Sequence, residues 1–391
     1  MATYESRNRH YRRERLHISR TKAVQALLLV TMLSFALALL RSPAISAVFE
    51  VVKFPILTAA VYSLFYARPI IKLNVSSIIM WLFVALVTFS TVYNSPSSPA
   101  LVASIGVFVA IGIYFQAIAN LNEPNILLEP LLRVFALVVA LTSVVYLPFP
   151  SSYIGGRFAA GFINTNVAAG FFAIAVVVVS YTLMFDKLRM FHIFLLLVLV
   201  LLLLLTKGRG ALIAAGIPVS IMLITNWRNQ SKKTNLMRLI LLVLAVWLSL
   251  KMDFGDTTDA TRLGLLSYRA FELGAREMII EQHLGAFWHS PFFGAGAVIN
   301  KWEPYARVSG ESSYSDLLAL SGGIGISLIA VLIIRALLVH WREPNSRLGF
   351  YVLLTTLLLA SSEGYFVSIA SAVSIILWSL LAVSPSKAVS K

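Results

Sequence analysis

Residues 195–205 read LLLVLVLLLLL, a run of aliphatic side chains that leaves no polar face in any regular conformation. Such a segment needs apolar surroundings on every side, and it is not isolated. Apolar runs recur near residues 23–40, 46–67, 75–94, 99–119, 126–147, 166–185, 190–206, 211–225, 237–251, 316–339, 348–367 and 368–384. Roughly 20 apolar residues of helix cross the hydrocarbon of a bilayer, so the chain reads as an all-α, polytopic membrane protein with about 12 spans. Composition agrees: 59% of the 391 residues are hydrophobic and 13% charged. The chain has no cysteine, which removes disulfides, thiolate metal ligands and cysteine nucleophiles together.

The formal net charge of +15 is accounted for by where the cations fall, not by nucleic acid. With a cytoplasmic N-terminus and an even number of spans, 19 of the 32 Lys and Arg residues lie in inside loops, as the positive-inside rule requires. The expected arrangement is a basic cytoplasmic N-terminus at 1–22, spans 1–9 over 23–251, an extracytoplasmic loop at 252–315, spans 10–12 over 316–384 and a cytoplasmic tail at 385–391. Both termini lie inside, and the cytoplasmic face meets anionic lipid.

The long loop is polar out of proportion to its size. With the residues that flank it, 251–316, it holds nine of the chain's 17 acids, two of its six histidines and two of its seven tryptophans. A large insert on one face of a helix bundle is where function concentrates. Residues 262–288 contain no proline and read as an amphipathic helix, on which Arg262, Arg269, Arg276 and His283 recur every seven residues along one face. Such a stripe suits a phosphate or diphosphate, which guanidinium groups bind through paired hydrogen bonds, or else forms surface ion pairs with Glu272 and Glu281. Lys207 and Arg209, in KGRG between spans 7 and 8, crowd two cations onto the side the charge rule disfavours, so they either meet an anionic ligand or snorkel to headgroups. Between spans 5 and 6, RFAAGFINTN offers Arg157, Asn164 and Asn166, the asparagines in a position to cap the next helix. At the mouth of span 10, ESSYSD places Glu311, Tyr314 and Asp316, the last expected as a helix N-cap or a partner for an arginine.

In order, RFAAGFINTN, KGRGAL, AREMIIEQHLGAFWHSPFFGAG and ESSYSDLLALSGGIG resemble the bacterial O-antigen ligase and O-antigen polymerase superfamily over residues 157–325. The span count and the late loop resemble it too. The resemblance implies a GT-C-like fold in the bacterial plasma membrane and a site facing the periplasm or cell exterior. It also implies a metal-independent glycosyltransferase without cofactor. Its donor would be an oligosaccharide on undecaprenyl diphosphate, its acceptor a second lipid-linked glycan, and polysaccharide-export proteins would be among its partners. Arg209 and Arg276 match the arginines that hold the diphosphate, with Arg157, Lys207, Arg269, His283, Asn166 and Tyr314 expected around the substrate. Where ligases of the family show a catalytic histidine, this chain has Glu311, which favours a polymerase of surface-polysaccharide repeat units over an O-antigen ligase acting on lipid A core. Glu311 is the expected base, with His283 or His289 next in line. A transporter or flippase of lipid-linked glycan is the rival from another class, which broken helices at mid-depth would favour.

Overall fold

A computed structural model describes residues 29–31, 33, 48, 51–52, 55–62, 73–94, 101–121, 124–162, 164–185, 189–226, 279–297, 312–366 and 371–383. Most of the first expected span, half of the second and the whole of the ninth lie outside these residues, as do Arg269, Arg276 and Glu311. The helices are α1 (Val75–Asn94), α2 (Leu101–Ala119), α3 (Pro124–Tyr146), α4 (Thr165–Phe185), α5 (Met190–Leu205), α6 (Arg209–Asn226), α7 (Ser313–Arg342), α8 (Arg347–Leu359) and α9 (Ala372–Leu381). A further helical segment covers 279–289. Between α3 and α4 lies a hairpin of β1 (Tyr153–Ile154) and β2 (Arg157–Phe158). Among the described residues five helices are long and apolar enough to cross a membrane, as expected of a helical membrane protein.

Helix α4 is the axis of the bundle. Its sequence is apolar all round, and 94% of its spanning window is buried, with α3, α5, α6 and α8 packed on it. A helix without a polar face has no stable place except among other helices. Asn164 caps it, its Oδ1 accepting from Asn166 N at 2.8 Å, as the sequence suggested. Buried polar side chains elsewhere pair across helices: Trp81 Nε1 donates to Gln116 Oε1 at 3.2 Å, and Tyr114 and Ser379 hydroxyls meet at 2.6 Å. Arg335 Nε also crosses between helices, donating to Ser76 Oγ at 3.0 Å, while Arg133 pairs with Glu129 one turn away on the same helix.

The tenth span departs from the expected uninterrupted helix at 316–339. Helix α7 has 30 residues, but Gly322 has φ 62 and ψ −166, which breaks it. A straight helix of that length would reach about 45 Å, and the 13 residues of α8 only about 20 Å. Yet Ser313 N donates to Ala360 O just beyond the end of α8, and His340 is bonded to Ser346 just before its start. Both ends of α7 therefore bracket the length of α8, so residues 313–321 fold back at Gly322 alongside the bundle. Helix α8 also stops at Leu359, well short of the expected 367.

Breaking a helix strands backbone groups that an apolar environment penalises. The segment 290–297 receives them. Gly323 N donates to Pro291 O at 2.8 Å and Ile324 N to Phe292 O at 3.2 Å, while Ala295 N and Gly296 N donate to Ala319 O and Leu320 O at 2.7 and 3.1 Å. The splice is tied to α1 through Ser90 Oγ, which donates to Gly294 O at 2.6 Å, and Thr91 Oγ1, which accepts from Ala297 N at 2.9 Å. A Cβ on Gly322 would lie 2.6 Å from Gly294 N and from Phe292 C and O, on top of its positive φ. Gly322→Ala is therefore expected to destabilise the protein by about 1–3 kcal/mol. Gly106→Ala, in a helix with nothing within 4 Å, should be neutral or slightly stabilising. Thermal unfolding of the two variants in detergent checks the contrast.

Candidate functional site

At the end of the bundle away from Arg342 and Arg347, three turns converge on the start of α4. The first is the β-hairpin. Its two loop residues, Gly155 and Gly156, have φ 55 and 71, the conformation a tight two-residue connection demands and glycine supplies without strain. The GG between YI and RF signalled this hairpin, although span counting passed over it. The hairpin presents Arg157, whose Nε donates to Thr206 O at 2.9 Å and whose Nη2 donates to Asn166 Oδ1 at 3.1 Å. Two motifs separated in sequence, RFAAGFINTN and KGRG, are thus fastened by one guanidinium.

The second turn joins α5 to α6. Thr206 closes α5 and organises the two residues after it, its Oγ1 donating to Leu203 O at 2.6 Å and accepting from Gly208 N at 3.2 Å. Lys207 has φ 53, a left-handed conformation costly for a side chain with a Cβ. Such an outlier persists only where its surroundings over-determine it, and the Arg157 bond to the preceding carbonyl is part of that restraint. Gly208 lets the turn press on α4, since a Cβ there would lie 2.8 Å from Ala169 Cβ. Lys207 and Arg209 are left exposed beyond it.

The third turn, 360–366, comes after α8. A Cβ on Gly210 would touch Ser362 Oγ at 3.6 Å, and one on Gly170 would meet the Tyr365 hydroxyl at 3.0 Å, so this turn lies against both the cationic turn and α4. It also holds the folded-back start of α7. Ser313 N donates to Ala360 O at 3.0 Å and Glu363 O at 3.2 Å, Ser313 Oγ accepts from Phe366 N at 3.2 Å, and Tyr314 Oη donates to Leu357 O at 2.8 Å. Tyr314, expected at the substrate, thus has its hydroxyl on a main-chain carbonyl and its ring against Phe366.

Two expectations for the far end of this chain of contacts are corrected. The N-cap of α7 is Ser312, and Asp316 sits within the first turn, 1% exposed. His283, expected on an open basic stripe, is 3% exposed. Its Nδ1 lies 3.1 Å from Ser315 Oγ and 3.3 Å from Asp316 Oδ1. The helical segment 279–289 buries His283 and Ala286, three residues apart, against the folded-back part of α7, and Ala286 clusters with Ala295 and Ala319. Small side chains bring the two backbones close, and the imidazole spans the remaining gap. Burial pushes the His283 imidazole below its usual value, so it favours the neutral form. This pairing went unread because 283 and 316 belong to segments whose approach depends on the break at Gly322, and GG in an apolar run was its only trace.

Of the nine residues expected at a site, Arg157, Asn166, Lys207, Arg209, Tyr314 and His283 are described; the first four lie at the contacting turns and the start of α4, Tyr314 on the start of α7 that the 360–366 turn anchors, and His283 on the helix packed against it. Arg157 and Asn166 are bonded to each other, and Arg269, Arg276 and Glu311 lie outside the described residues. The chain matches no protein-family model, no curated protein and no solved structure.

If Arg157 restrains the strained turn, Arg157→Ala should loosen it. Limited trypsin digestion is expected to cut after Lys207 or Arg209 at least several-fold faster than in the parent protein, and Arg157→Lys, which keeps one charge but not the fork, should lie between.

Proposed function

We propose that the protein is a membrane glycosyltransferase that moves an oligosaccharide from undecaprenyl diphosphate at the outer face of the plasma membrane, joining surface-polysaccharide repeat units. The observation that carries this reading is the convergence of turns from separate parts of the chain at one end of the bundle. The exposed Lys207 and Arg209 stand on a turn fixed by Arg157, beside the turn that anchors the serine-rich entry of α7. Fixed cations there would bind a diphosphate and stabilise the charge that grows on it as the sugar leaves. Arg276 is proposed as the second arginine of this clamp, with Arg269 beside it. Transfer also needs a group to take the proton of the acceptor hydroxyl, for which the sequence resemblance offers Glu311, with His283 or His289 next in line. Ligation to a lipid A core would use the same parts with a different acceptor.

One observation favours the rival reading of a transporter of lipid-linked glycan, the broken α7 beside a buried ionisable pair. Glu129 and Arg133 of α3 and Arg335 of α7 are instead engaged with neighbouring side chains, which suits fixed helices better than moving ones.

Incubating the purified protein with an undecaprenyl-diphosphate oligosaccharide, without added metal, is expected to give elongated product. Arg209→Ala and Arg276→Ala should each lower the rate by about 10²-fold or more while unfolding at the parental temperature. Movement of the lipid across reconstituted vesicles with no elongation would transfer support to the transporter.

A further inference from the structure

The contact between His283 and α7 fixes more than a packing arrangement. Ser315 Oγ lies 3.2 Å from Ser312 O and donates its proton to that carbonyl. Its oxygen can therefore only accept from the imidazole. The second atom facing His283 Nδ1 is a carboxylate oxygen, also an acceptor when ionised. With Ser315 donating to Ser312 O and Asp316 ionised, Nδ1 faces two acceptors and carries the proton, which leaves the lone pair on Nε2. Nε2 has no hydrogen-bond partner among the described residues. An acid behind one ring nitrogen and a lone pair that no described residue engages on the other is the arrangement by which a carboxylate orients an imidazole base.

We propose that His283, in place of Glu311, is the catalytic base of this site and that Asp316 and Ser315 are its positioning residues, an assignment that rests on the glycosyl-transfer reading above. In the step, the acceptor hydroxyl oxygen forms a bond to the anomeric carbon as that carbon's bond to the diphosphate oxygen breaks. The hydroxyl proton passes to Nε2, and the bonding pair leaves with the diphosphate, whose charge the arginines receive. The imidazolium so formed is stabilised by Asp316 at 3.3 Å and later releases its proton to water.

Burial keeps the ring neutral near pH 7, the form a base needs; an ionised Asp316 3.3 Å away would work in the opposite direction. Among the described residues, the ionisable neighbours are few. On α7, Asp316 faces the ring, and Tyr314 has its hydroxyl on Leu357 O. On the ring's own helix, Glu281 and His289 are exposed. The rate should thus fall as pH drops through a value below about 6.5, where His283 becomes protonated.

The test is the pH profile of kcat for the full-length protein with an undecaprenyl-diphosphate oligosaccharide as donor and acceptor. His283→Gln is expected to lower kcat by about 10²-fold or more with KM nearly unchanged, and added imidazole should restore part of the activity of His283→Gly. Asp316→Asn should move the acid limb to lower pH, because removing the neighbouring charge disfavours the imidazolium; a purely structural Asp316 would leave the limb in place. Glu311→Gln should keep the limb. Parental turnover in His283→Gln, or a limb that disappears in Glu311→Gln, overturns the assignment while leaving glycosyl transfer standing. No elongation by the parent protein removes the transfer reading itself. Should His283→Gln fail to fold, the Asp316→Asn profile decides, and an unmoved limb counts against the dyad.

Discussion

The described structure depends on one exchange of hydrogen bonds. An apolar environment offers a broken helix no water, so a break is tolerable only where other main-chain groups replace the lost ones. Segment 290–297 does this at Gly322, giving two carbonyls to Gly323 and Ile324 and two N–H groups to Ala319 and Leu320. The fit admits no side chain at Gly294 or Gly322, where a Cβ would fall 2.4 to 2.6 Å from opposing backbone atoms. The break is therefore a defined joint. Ser90 and Thr91 tie it to α1, so the helix carrying His283 and the folded-back start of α7 are held by the same splice.

A second constraint acts at α4. A helix buried along nearly its whole length can be approached by turns only where its own side chains are small, and Ala168, Ala169 and Gly170 provide such a place near its start. The α5–α6 turn enters at Ala169 and the 360–366 turn at Gly170, each through a glycine or hydroxyl that fits. Arg157 then converts proximity into a fixed arrangement, since its planar fork satisfies a carbonyl from one turn and an amide from another. The residues that bring cations together differ from the cations left exposed, and in the sequence both kinds are simply arginine or lysine beside glycine.

That distinction sets how much could be read in advance. Hydropathy placed the starts and ends of α1, α5 and α6 within two residues, because span length is dictated by apolar composition alone. It failed at α7 and α8, where composition stays apolar through a break and past a helix end, and only GG at 322–323 and SSEG at 361–364 record the change. The Asn164 cap was legible because capping is a local chemistry of the chain. The pairings of Arg157 with Thr206 and of His283 with Asp316 were not, since each joins residues far apart in sequence whose approach depends on a turn or a joint. The heptad spacing put His283 on a basic face whose other members, Arg262, Arg269 and Arg276, lie outside the described residues. It misled as chemistry, because the face it shares with Ala286 is the one buried against α7.

The folded-back arrangement explains why an acid can occupy the first turn of α7. In an unbroken helix Asp316 would stand six residues beyond Gly322, about 9 Å further along the axis and away from segment 279–289. Reversal at Gly322 returns it against that segment, where Ser313 is anchored to the 360–366 turn and Ala319 packs on Ala286. An ionised carboxylate buried to this degree is costly without a hydrogen-bonding partner, and a hydrocarbon side chain would fill the space without that cost. A buried acid 3.3 Å from imidazole Nδ1, with Ser315 Oγ at 3.1 Å, fixes the position of the ring. The joint at Gly322, the small residues between two helices and the placement of one imidazole thus belong to one construction, in which the ring is held by residues from both segments.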